Sequence, residues 1–433
     1  MNKILIVGAG HSGLHLGHDL LERGWDVTVM TGESSTEIRN GRPHIAQFTL
    51  PTALARERAL GLDFWKDQAP AITGATVRLY PPGGEPLRVA GSFAGYATAV
   101  DRRLKMAHWL EYLEDRGGKV VIHGCTLSDL DYFSRMFDLV VIAVGHGELG
   151  ALFTPEPGRF GGARPRMLAQ ALLDNVAPGE AGPGLGEYVE VGSAAQARAF
   201  LAPMLTIAGP CHALVIVEGH DGRISGWPRR LSPSEQWERM RALLSECAPD
   251  LHRRVQGAEL IDGRSTVVGE VRPQVRHPVG VLPSGGCALG LGDVVISTDP
   301  IAGQGWATAT MSAAAYADRI SQRGEEPFTT DWMAKTFELF WSGTTAQHRG
   351  SDTVDRDYAG VGQASALLSD TVARIWEDDA PAHLAEVVAT AAASPEVATR
   401  FIRGLDDPRD YARWLYDPDT ARAYLHEVTQ RHT

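Results

Sequence analysis

The chain has 433 residues and a mass of 46.7 kDa, enough for about two to three domains or one large nucleotide-binding enzyme with inserted modules. Hydrophobic residues make up 44% and charged ones 22%, which excludes wholesale disorder and a fibrous fold. With 41 basic and 53 acidic residues the formal charge is −12, so nucleic acid and anionic membranes are not expected partners.

The chain opens with Lys3 to Val7, an apolar run that reads as a strand buried on both faces of a parallel sheet. A Gly8–Gly13 loop follows. Leu14, Leu16, His18, Leu20 and Leu21 then mark a helix ending near Gly24, and Trp25 to Met30 a second strand. The glycines and the charges at Asp19, Glu22 and Arg23 argue against a signal peptide or a membrane span. Cys125, Cys211, Cys247 and Cys287 lie far apart with no CxxC pair, as free thiols of a reducing compartment do, so a cytoplasmic location is expected.

A Pro/Gly-bearing segment covers Arg42 to Gly95, and Arg102 to Arg116 reads as an amphipathic helix. Lys119 to His123 and Leu139 to Val144 read as further buried strands, closing a first unit over 1–150. Pro155 to Gly186 is rich in Gly, Pro and Arg. Strand-like runs follow at Tyr188 to Val191, Met204 to Ala208 and Ala213 to Glu218, with a turn at His220-Asp221-Gly222. They suggest an inserted sheet domain over 151–280. The first fold resumes over 281–325, with Ala288 to Ile296, a Gly303-Gln304-Gly305 turn and a small-residue helix at Ala307 to Ile320. The remainder, 326–433, reads as helical, with Trp332, Phe337, Phe340, Trp341, Leu367, Leu368 and Ile375 as core candidates.

The GAGHSG loop satisfies G-x-G-x-x-G where that motif carries meaning, after a strand and opening a helix. Gly8 permits the tight turn, Gly10 admits a pyrophosphate against the backbone, and Gly13 lets helix and strand pack closely. Ser12 belongs to the same loop, and the helix N-terminus offers free N–H groups to phosphate. Thr31 stands where an acid would clamp the ribose, so a weakly held, exchangeable cofactor is expected unless Glu33 takes that role. A second segment, Gly290 to Ala307 (GLGDVVISTDPIAGQGWA), pairs Asp293 with Pro300-x-x-Gly303-x-Gly305 at a helix start. This fits the flavin-contacting stretch of FAD enzymes. Asp293 would accept from the ribityl chain, and the backbone around Gly303, Gln304 and Gly305 would face the pyrimidine end of the flavin. The two segments together favour FAD over NAD. Gly360-Val361-Gly362 follows no strand and reads as a turn between helices, which leaves no second dinucleotide motif for NAD(P)H.

The GAGHSGLHLG start, Gly41-Arg42, Arg56 to Trp65, Ala99 to Leu104 and above all GLGD…TDPIAGQG resemble styrene and indole monooxygenases, in order along nearly the whole chain. The resemblance implies an α/β fold: a Rossmann-like FAD-binding domain of the GR2 type, an inserted β-sheet substrate domain and a helical C-terminal region. It implies FAD reduced by a separate NADH-dependent flavin reductase, reaction with O2 to a hydroperoxide, and oxygen transfer to a small aromatic alkene or indole. It places the segment after Arg42 beside the flavin. Styrene-type members carry an Asn and a His there, where this chain has Ile45 and Thr49 with Gln47 between them. Ala97 replaces a Ser, Gln47 and Ala97 lie closer to the indole branch, and Trp306 is bulkier than the small residue expected. An indole, or a larger indole-bearing metabolite, is the better expected substrate. A homodimer is one option, as oligomeric state is not read from the sequence.

Other residues have bland readings beside functional ones. His11 reads as an exposed spacer rather than a proton relay, and Arg56 to Arg58 as a solvated helix face. Arg42 and Arg103 could each neutralise pyrophosphate or form surface salt bridges, and His146 follows a strand end near the cofactor. No motif points to metal or to a hydrolase. A single-component NAD(P)H hydroxylase and a non-catalytic binding protein on an FAD scaffold remain as alternatives. The first usually carries an Asp-Gly pair that Ala143 to Gly150 lacks, and intact flavin motifs oppose the second.

Overall fold

The computed structural model describes residues 2–81, 84–145, 147–159, 164–179, 187–194, 196–219, 221–343, 358–376 and 380–431. His146, and His220 of the expected turn, lie outside them.

Lys3–Val7 sits in the middle of a six-stranded sheet, parallel to Asp26–Thr31 on one side and Leu139–Ile142 on the other. Cys287–Gly290 continues the parallel order beyond Leu139–Ile142, and Val279–Val281 closes that edge antiparallel. Such central strands are covered on both faces, which explains their unbroken apolar runs. Lys119–Ile122 departs from the expectation of burial. It is the opposite edge strand, paired only with Asp26–Thr31, and Val121 and Ile122 are 39% and 51% exposed. An apolar run does not reveal which strand ends at an edge.

Helix His11–Glu22 leaves the first strand, and helix Gly305–Arg323 leaves the returning one; the two pack against each other. That contact brings together glycine segments some 280 residues apart.

The second sheet runs Glu259–Leu260, Arg166–Asp174, Gly209–Glu218, Ala197–Thr206, Glu187–Ala194, Ile72–Leu79, Leu87–Ala97, with Thr266–Val271 also paired to Arg166–Asp174. Its members extend the sequence reading. Arg166–Asp174 lies inside the Gly/Pro/Arg stretch, and Ala197–Thr206 begins seven residues before Met204. The hairpin Ile72–Leu79/Leu87–Ala97 comes from the Pro/Gly-bearing segment and joins this sheet by parallel pairing with Glu187–Ala194. The expected 1–150 unit therefore supplies strands to both sheets. Side chains alternate across the long strands. Ala199 and Leu201 face helices Pro233–Cys247 and Pro249–Arg254, while Phe200, Ala202 and Met204 face inward, toward the segment 45–50.

Thr330–Ser342 packs onto the first sheet through Trp332, Phe337, Phe340 and Trp341. Gly360, at φ +76°, turns the chain, but Val361 and Gly362, expected in that turn, are already the first residues of helix Val361–Trp376. On that helix Leu368 is buried and Ile375 partly so, but Leu367 is 42% exposed, since neighbouring helical positions differ by about 100° in direction. The last four helices, from Ala382–Ala393 to Pro418–Arg431, gather around Tyr411 and Trp414. No helix among the described residues is long and apolar enough to cross a membrane.

Candidate functional site

Gly8 adopts φ +119°, and a Cβ there would lie 2.5 Å from the Ala143 carbonyl oxygen. A Cβ on Gly13 would collide with the Gly8 carbonyl oxygen. Gly10 differs. It is the extended N-cap of His11–Glu22, offers no side-chain cap, and a Cβ on it would meet nothing nearer than 3.8 Å. Its free side opens into a cleft of about 650 Å³. An uncapped helix start beside open space suits an anionic diphosphate. Ser12 also lines the cleft and packs against Gly292, whose φ of +69° leaves no room for a Cβ beside the Ser12 hydroxyl. The first glycine loop and the Gly292-Asp293 turn therefore fit together directly.

Thr31, Glu33, Arg42, Arg103, Asp293, Gly305 and Trp306 also line this cleft. The Thr31 hydroxyl donates to the Glu33 carbonyl at 3.1 Å and receives the Glu33 N–H, so it is engaged in its own turn, while the Glu33 side chain is exposed. Arg42 is exposed in the cleft with no ion pair among the described residues. Arg103 turns to Asp101 at 2.7 Å and to the Gly41 carbonyl. The arginine nearest the phosphate loop is one that sequence reading passed over. A terminal nitrogen of Arg102 lies 3.8 Å from where a Gly10 Cβ would stand, and Arg102 contacts the His44 ring at 3.1 Å. Burial pulls the Arg102 guanidinium down, with Asp293 and Glu33 opposing; burial and Arg102 push His44 down to about 4.

Next to the cleft lies a chamber of about 90 Å³ that shares Ile45, Gln47, Asp293 and Gly305 with it, and whose wall includes Leu168, Phe200, Val215, Val217 and Pro300. Gly303, in the left-handed region at φ +66°, lines it as the chain enters helix Gly305–Arg323. Gln47 Oε1 lies 2.9 Å from a Cβ placed on Gly305, so the side chain covers the helix start. The loop bearing Ile45 and Gln47 is clamped by Gln170, fully buried on the second sheet. Its amide accepts from the Ala46 N–H and donates to the His44 carbonyl at 2.9 Å.

Three expected site residues are placed otherwise. Thr49 is fully buried, bridged to Thr98 and hydrogen-bonded by Lys105 Nζ at 3.0 Å, and lines neither space. Ala97 lines a deeper chamber behind Phe48. Gln304 directs its side chain away from the cleft, donating to the Leu405 carbonyl at 2.9 Å. For Thr49 and Gln304 a tertiary neighbour fixes the side-chain direction.

Two further readings are corrected. His11 is no exposed spacer: it is 6% exposed, bonds Thr310 Oγ1 at 2.8 Å and stacks on Trp306 at 4.7 Å between centroids. Glu57, in the supposedly solvated Arg56–Arg58 face, is buried and accepts from Lys105 Nζ at 2.7 Å, with His11 Nε2 3.6 Å away. Burial drives the His11 pKa well below its usual value, aided by Lys105, so the ring is neutral. Burial also raises Glu57 and lowers Lys105, each opposed by its partner's charge. The signal for this cluster was a lysine, rare in this chain, on an otherwise apolar helix face.

Residues 145–254 match the family model of the styrene monooxygenase A substrate-binding domain. The chain is 30% identical over 318 residues to styrene monooxygenase StyA of Pseudomonas fluorescens, covering 70% of this chain and 73% of that one. It is also 30% identical over 326 residues to StyA of a Pseudomonas species, covering 72% and 75%. Among solved structures, the flavin-dependent brominase Bmp2 superposes with a TM-score of 0.62 over 99% of both chains at 15% identity, a likeness of fold.

Proposed function

Since the chain belongs to the styrene monooxygenase StyA family and is an FAD-dependent monooxygenase, we propose that it is the oxygenase component of a two-component system. In this reading it takes FAD already reduced by a separate NADH-dependent flavin reductase. One atom of O2 passes to an indole or aryl alkene, and the other leaves as water.

The observation that carries this reading is the largely apolar chamber that adjoins the dinucleotide cleft at Gln47 and Gly305. Bound reduced FAD supplies the activation of O2. The chain's residues do the rest. The uncapped start of His11–Glu22 and Arg42 would hold the diphosphate, Glu33 the ribose, and Asp293 the ribityl hydroxyls. The N-terminus of Gly305–Arg323 would favour negative charge on a flavin bound there. Leu168, Phe200, Val215 and Val217 exclude water from the reacting face, and Gln47 Oε1 accepts the indole N–H.

A single-turnover experiment with chemically reduced FAD, O2 and a panel of styrene and indoles tests this. Oxygenated product should form, and the chain with FAD alone should not oxidise NADH. NADH oxidation without a reductase would make the protein a single-component hydroxylase instead.

A further inference from the structure

Behind the first chamber lies a second, a cavity of about 50 Å³, and Phe48, Phe200 and Gly303 line both. Its wall is largely apolar, with Ile72, Val77 and Phe93 from the second sheet. Two polar side chains interrupt that wall, and both are incompletely satisfied.

The first is Arg198. Alternation along Ala197–Thr206 places it on the same face as Phe200, pointing into the chamber rather than toward Pro233–Cys247. It is 8% exposed, yet its Nε makes no hydrogen bond, and among the described residues no carboxylate pairs with it. Its one close partner is the Phe200 ring, 5.3 Å from the guanidinium carbon. The acid acting on it, Asp299, is held by Arg166 at 3.0 Å and by the Ile301 N–H at 3.1 Å. Burial pulls Arg198 down to about 10, which leaves it charged at neutral pH. A charge so placed is costly unless something arrives to pair with it.

The second is Gln304. Its amide nitrogen donates to the carbonyls of Leu405 and Ala302, which fixes the orientation of the group. Oε1 is thereby left buried with no partner. The chamber therefore presents one bidentate donor for an anion and one acceptor for an N–H or O–H.

We infer that the inner chamber binds the carboxylate end of an aromatic acid, Arg198 pairing with the carboxylate, while Gln304 Oε1 is left for a second N–H or O–H next to that carboxylate, distinct from the ring N–H that Gln47 takes. The aromatic ring then occupies the outer chamber, between Phe48 and Phe200 and beside Gln47. This deepens the proposed monooxygenase reading and rests on it: the substrate class becomes an N–H-bearing aromatic carboxylate, such as an indolyl acid, rather than a neutral alkene.

Calorimetric binding of indole-3-acetate, indole-3-acetamide and indole to the full chain near neutral pH tests the inference without turnover. The acid should bind at least about tenfold tighter than the amide, which has the same shape without the charge. Arg198→Met should reduce that acid-to-amide ratio by about 10- to 100-fold, and Arg198→Lys should retain part of it. Thermal unfolding of Arg198→Met should match or exceed wild type, because an unpaired buried charge has been removed. If that variant does not fold, the wild-type ratio decides. A wild-type chain that binds acid and amide equally, its chamber holding water only, overturns the inference, as does an unchanged ratio in Arg198→Met. Acid binding without oxygen transfer would overturn the monooxygenase reading alone. Turnover of neutral indole with the acid rejected would overturn only the chamber assignment.

Discussion

Lys105 Nζ donates to the Glu57 carboxylate at 2.7 Å, and both side chains are within two per cent of complete burial. The pair lies under His11 and Trp306, with the ammonium 4.5 Å from the Trp306 ring, so the floor of the cofactor cleft rests on a buried ion pair. Removing one partner strands the other charge in a dry site. Lys105→Met should therefore cost about 3–5 kcal/mol in urea unfolding, and Glu57→Gln a similar amount. The double variant Lys105→Met/Glu57→Leu should recover most of that loss. A single variant as stable as wild type would contradict the burial of the pair.

Acid should destabilise the protein through its buried histidines. Burial lowers His15 to about 3, with His18 and Lys105 adding to the effect, and lowers His18 to about 4. Both folded values lie below the ordinary value of 6.5, so on acidification the unfolded chain takes up protons first. Stability should be complete above about pH 6.5 and fall toward pH 4, by about 1.4 kcal/mol per pH unit for each histidine. Neither His15 ring nitrogen has a hydrogen bond, so His15→Leu should flatten the slope without loss of stability near neutrality. Urea unfolding across that range checks both statements, and a flat wild-type profile would refute them.

Two of the loop glycines, Gly13 and Gly10, should respond differently to a methyl group. Gly13→Ala forces a Cβ onto the Gly8 carbonyl and should cost about 1–3 kcal/mol of stability. Gly10→Ala meets nothing closer than 3.8 Å, so it should fold as wild type but bind FAD at least about tenfold more weakly, since the methyl enters the space for the diphosphate. Gly10→Val should abolish flavin binding. A flavin fluorescence titration checks this; full affinity in Gly10→Val would move the diphosphate elsewhere.

Gln47 is set over the start of Gly305–Arg323 by the Gln170 clamp. If its Oε1 accepts the indole N–H, Gln47→Leu should lower indole turnover by about 5- to 100-fold while affecting styrene less. Equal losses with both substrates would leave selectivity without this residue.

Local rules made the dinucleotide half of the protein legible in its sequence. Gly8 and Gly13 declare a turn and a close approach that no side chain survives, and the Gly303–Gly305 segment declares a helix start. These are properties of the backbone, so they can be read from neighbouring residues. The directions of individual side chains were not available in that way. Nothing in the sequence around Arg56–Arg58 separates the buried Glu57 from the half-buried Arg56 and exposed Arg58, because the distinction depends on Lys105 arriving from another helix. Gln304 and Thr49 were drawn away from the cleft by Leu405, Thr98 and Lys105, distant partners in the chain. Arg198 reads as one more arginine on a strand until the second sheet's inner face is closed over it. Burial, and with it the cost of an unpaired charge, belongs to the packed molecule, and only the tertiary structure decided which polar groups would bear that cost.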